Sequence, residues 1–181
     1  MTNRSRIRIK GTSPRGFTLI ESALATVIIG TGVLAIMFAQ QTFHRQNDWA
    51  ERSATAMRLA GEIREMTINL PRHDPVTGVE VWGTEPNEAV LADWDDVDDF
   101  QDAVFSSDLG NGPISAQREI LPQFPGWTQR VEVDNIDPFD FATTLPNGQG
   151  SMLRVRVGVF YQGPLDMEAT EITNLTWIQP R

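Results

Sequence analysis

A run of about twenty apolar residues that begins at Phe17 constrains this chain more than any other feature. From Gly16 it reads "GFTLIESALATVIIGTGVLAIMFAQQ". About 20 predominantly apolar residues are enough for a helix to cross a bilayer. A carboxylate, Glu21, stands inside the run. A charge in that setting is costly unless it has a partner. Gly30 and Gly32 lie in the middle of the run. Each lowers helix stability by about 1 kcal/mol relative to Ala, and each allows close approach of another helix. No proline falls between Phe17 and Leu70, so nothing forces a kink.

Charge is distributed unevenly. The 181 residues suffice for one compact domain plus one further element. Net charge is -9, yet Arg4, Arg6, Arg8, Lys10 and Arg15 precede the apolar run with no acid among them. The remainder holds 10 basic residues against 24 acidic ones. An acidic body argues against nucleic acid as a partner. A basic tip beside an apolar run is a topology signal that keeps that end in the cytoplasm. The chain has no cysteine, which excludes disulfides and Cys-ligated metal sites.

A secretory signal peptide would have a shorter apolar region. A plain single-span anchor accounts for the length and the basic flank but not for Glu21 or Gly16. "RGFTLIE", Arg15 to Glu21, resembles the type IV prepilin signature: a basic leader ending in Gly, then an apolar segment with Glu at its fifth position. The resemblance implies cleavage after Gly16 by prepilin peptidase on the cytoplasmic face, and N-methylation of the new terminus at Phe17. It further implies that Glu21 pairs with the Phe17 amine of a neighbouring subunit when the apolar helices bundle in a filament. The implied partners are other pilin or pseudopilin subunits and an inner-membrane assembly platform. The implied location is the bacterial inner membrane, single-pass with a periplasmic C-terminal part, and then a pilus or a type II secretion pseudopilus.

Beyond Gln40 the pattern becomes amphipathic. Ala56, Leu59, Ile63, Met66 and Leu70 recur at spacings of three and four, which is one face of a helix. Pro71 ends it. Three strands are expected, over residues 127–136, 152–162 and 171–178, separated by turn signals at 137–140, 146–150 and 163–166. In the second, Leu153, Val155, Val157 and Val159 alternate with Arg154 and Arg156. Between residues 71 and 126 only "VEVW", 79–82, is strand-like. The fold class is α+β, and the resemblance to pilins implies that the long N-terminal helix packs its second half on the small antiparallel sheet. The expected organisation is a cleaved leader over 1–16, a membrane and filament-core helix over 17–39, an amphipathic half over 40–70, an irregular region with an acidic loop over 71–126, and the sheet over 127–181.

"DWDDVDDFQD", 93–102, holds six aspartates. The straightforward expectation is a solvated acidic loop whose Trp94, Val97 and Phe100 dock on the body. The alternative is a Ca²⁺ site using Asp93, Asp95, Asp96, Asp98 and Asp99, although an EF-hand spacing is absent. "DDVDDF" ahead of "GWT" (126–128) also resembles minor pilin-like proteins of the mannose-sensitive haemagglutinin pilus type. No catalytic constellation is visible: there is no Cys nucleophile, no phosphate-binding Gly-rich loop and no G-x-S-x-G. The two histidines, His44 and His73, lack metal-ligand spacing. The expectation is a subunit that assembles rather than an enzyme. The other reading is a stand-alone membrane-anchored periplasmic binding protein.

Overall fold

A computed structural model describes residues 16–74, 76, 78 and 81–180. The basic leader residues ahead of Gly16, and residues 79–80 of the expected strand at 79–82, lie outside the described residues. The chain divides into two units, one ending at Asn47 and the other running from Asp48.

One helix, α1, runs Leu19–Thr67. Its N-terminal stretch is long and apolar enough to cross a membrane, and none of it is buried. No residue of α1 ahead of Ala56 is buried. In the second unit the periodic face behaves as the spacing requires. Ala56, Leu59, Ala60, Ile63 and Met66 join the core, and Leu70 packs against it. Burial of side chains such as Leu59 and Ile63 stabilises the unit by about 1.5–3 kcal/mol each.

That core is covered by a five-stranded antiparallel sheet rather than three strands: β1 Val104–Ser106, β2 Trp127–Asp137, β3 Asp140–Leu145, β4 Met152–Tyr161 and β5 Thr170–Pro180. The order is β1-β2-β4-β5, with β3 also paired to β2. Strand β4 pairs with β2 from Trp127↔Tyr161 to Ile136↔Met152, so β1 and β3 share the remaining edge of β2. Leu153, Val155, Val157 and Val159 face the core, opposite Val133 and Val131 of β2. The other face carries charge. Arg154 binds Asp134 at 2.6 Å, and Arg156 reaches Glu132 at 3.7 Å and Glu171 at 3.5 Å. Of the two extra strands, β1 lies in the stretch read from sequence as a connection, and β3 lies between the turn signals at 137–140 and 146–150. Val81 and Trp82, the described part of the expected strand at 79–82, are not in a strand.

The region between α1 and β2 is more than a connector, since Val97, Phe100, Phe105 and Ile114 are all core residues. Three side chains tie it down. Gln129, fully buried on β2, accepts the Ile114 N–H at 2.8 Å and donates to the carbonyls of Leu59 (2.8 Å) and Ile114 (3.1 Å). Glu62 of α1 accepts the Ala116 N–H at 3.0 Å. The guanidinium of Arg118 donates to the carbonyls of Leu91, Ala92 and Trp94 at 2.8, 3.0 and 2.6 Å.

Candidate functional site

Two places carry the residues singled out in the sequence. The first is the start of α1. Gly16, Phe17 and Thr18 precede the helix, and the Phe17 side chain is 80% exposed. Thr18 caps the helix: its carbonyl accepts the Ser22 N–H at 3.1 Å, and its hydroxyl accepts the Glu21 N–H at 3.3 Å. Thr18 and Glu21 thus occupy the two side-chain positions of an S/T-x-x-E capping box, and Glu21 sits where a negative charge opposes the helix dipole. The sequence carries this local pattern as "TLIE", residues 18–21. A Cβ added at Gly16 would meet nothing within 4 Å, and the same holds at Gly30 and Gly32.

The second place is the acidic segment, where the expectation of a solvated loop is overturned. Asp96, Val97, Asp98, Asp99 and Phe100 are all buried, and Asp93 and Asp95 are exposed. Burial follows from the apolar residues at a spacing of three. Val97 and Phe100 enter the core, and Trp94 stacks edge-on against Phe100 at 4.9 Å, which draws the intervening aspartates inward. Asp98–Phe100 forms a single 3-10 turn. The carboxylate of Asp99 accepts the N–H groups of Asp95 (2.9 Å) and Asp96 (3.2 Å), and Asp96 accepts the Asp99 N–H (3.2 Å).

Two residues missed in the sequence complete the cluster. Glu85 and Glu88, both buried, form a neighbouring turn in which the Glu85 N–H donates to the Glu88 carboxylate at 2.8 Å. Glu85, Asp96 and Asp99 bring one oxygen each to within 4.8 Å of one another, and so do Glu88, Asp95 and Asp99. Asp93 is in neither group, nor is Asp98, which instead meets Nδ1 of half-buried His73 at 3.1 Å. Burial holds His73 below its usual range, with Arg72 adding to the effect. Burial is likewise the first cause that pushes Glu88, Asp96, Asp98 and Asp99 above the ordinary carboxyl range. Asp98 adds to the shift at Asp96 through their side-chain contact and like charge, whereas the same contact acts to lower Asp98.

No protein-family model, curated protein or solved structure matches this chain.

Proposed function

We propose that this chain is a structural subunit, a minor pilin or pseudopilin, of a type IV pilus or type II secretion pseudopilus. In this reading it is cut after Gly16, methylated at Phe17 and assembled through its apolar helix. The observation that carries the reading is Gly16 itself. Its surroundings among the described residues leave room for a side chain, so their packing does not require glycine before the apolar run. A protease subsite that admits no side chain would require it. Gly30 and Gly32 support the reading too: they weaken the helix, and a Cβ added at either would meet nothing within 4 Å among the described residues. Close packing of helices from other copies uses small residues at such positions. The exposed apolar stretch of α1 supports membrane anchoring under either reading.

The stand-alone anchored protein stays in view for a specific reason: a carboxylate in the first turn of α1, as Glu21 is, stabilises the helix dipole within a single chain. Processing separates the two. Protein extracted from the membrane of a strain with active prepilin peptidase should begin at N-methyl-Phe17 by intact mass and N-terminal sequencing. Gly16→Leu should accumulate as uncut precursor. A wild-type chain that still begins at Met1 would refute the pilin reading.

A further inference from the structure

We propose that Glu85, Glu88, Asp95, Asp96 and Asp99 form a Ca²⁺ site that pins the connecting region to the core of the second unit. Two groups of three carboxyl groups, drawn from two turns, meet there, and Asp99 belongs to both. The donors are all oxygen, the preference of a hard cation. Oxygens on opposite sides of Ca²⁺ stand roughly 4.8 Å apart at bond lengths of about 2.4 Å, and the ligand oxygens in each group lie within 4.8 Å of one another. Mg²⁺ demands shorter bonds in a near-octahedral frame and gives up its water reluctantly, so several buried carboxylates suit it poorly.

A separate observation points to a ligand. Asp99 is only 3% exposed. Its Oδ2 takes the two backbone N–H groups of Asp95 and Asp96, while Oδ1 has no hydrogen-bond partner. The Asp99 side chain lies against that of Glu88, and neither carboxylate can donate to the other unless one of them is protonated. The backbone bonds fix the Asp99 carboxylate in place and leave its second oxygen available. Asp95 is exposed, which provides a path from solvent and room for water ligands. The site is independent of the pilin reading.

The experiment uses the full chain in detergent micelles, stripped with a chelator. Addition of CaCl₂ should raise Tm in proportion to the logarithm of its concentration once the site is saturated. Tb³⁺ bound in place of Ca²⁺ should give luminescence excited through Trp94, and CaCl₂ should quench it where equal MgCl₂ does not. Asp99→Asn and Asp95→Asn should each lose the calcium shift. The second is exposed, so its folding is not in question, and circular dichroism checks the first. The absence of any shift in millimolar CaCl₂, an equal response to MgCl₂, or a shift that survives in both variants would each overturn the site.

Discussion

Arg118 holds a backbone conformation that few non-glycine residues adopt, with φ of 64°. It spends that cost on three carbonyls of the segment that leads into the acidic turn, Leu91, Ala92 and Trp94. Hydrogen bonds from a charged donor contribute about 1.5–3 kcal/mol where they are buried, and partial exposure here places the set near the lower end. Arg118→Ala should therefore lower stability by roughly 2 kcal/mol, read as a fall in denaturation midpoint with an unchanged slope. Arg118→Lys should recover little, because an ammonium lacks the planar fork that reaches several acceptors. Arg118→Asn separates backbone from clamp, since Asn tolerates the left-handed region. It should do better than Ala only if backbone strain contributes. Equal midpoints for wild type and Ala would show that the clamp contributes nothing. No sequence pattern announces Arg118, because its partners are carbonyls more than twenty residues away.

At the scale of elements, legibility tracks periodicity. The buried face of α1 was readable because Ala56, Leu59, Ile63 and Met66 recur every three or four residues, and β4 because its valines alternate with arginines. Strand β3 was not. Five of its six residues are exposed, so it has no apolar face to alternate, and it is held by its backbone pairing to β2. Strand β1 is only three residues long. Burial of the aspartates was hidden for another reason: a charge run is read as solvated, and here the apolar residues between the charges decide its position. Gln129 is the matching case in the sheet, a polar residue at an inward position of β2. It joins β2, α1 and the loop at Ile114 through three bonds. Gln129→Met conserves most of the volume but leaves the buried Ile114 N–H unpaired, which costs about 1–3 kcal/mol. Thermal unfolding of the variant should show a Tm several degrees lower. A Tm equal to wild type would mean that the N–H finds another acceptor and that Gln129 is not the joint.

For the whole molecule the question is what Glu21 answers to. Within one chain it holds the Glu position of a T-x-x-E capping sequence, and the Thr18 hydroxyl accepts its backbone N–H at 3.3 Å. In the proposed filament its carboxylate meets the Phe17 amine of a neighbour. The two roles differ in what they ask of the side chain. A capping box accepts Gln in place of Glu. A charge pair in an apolar bundle does not, because Gln leaves the amine charged without a counter-ion, at a cost of about 3–5 kcal/mol. Glu21→Gln therefore separates them where Glu21→Ala removes both roles at once. If the filament reading holds, Gln should insert in the membrane and be cleaved after Gly16, since processing precedes assembly, yet fail to enter filaments as fully as Ala does. The measurement is recovery of the subunit with sheared filaments, or cross-linking between single cysteines introduced into a chain that has none of its own. If Gln assembles like wild type while Ala does not, Glu21 acts as a helix cap and the intersubunit pair is wrong. A subunit placed only at the filament tip has one neighbour instead of two, so one of its pairing groups lacks a partner even in the wild type. For such a subunit the Gln defect should be partial, and its size relative to Ala reports whether the carboxylate or the amine is the group that stays paired.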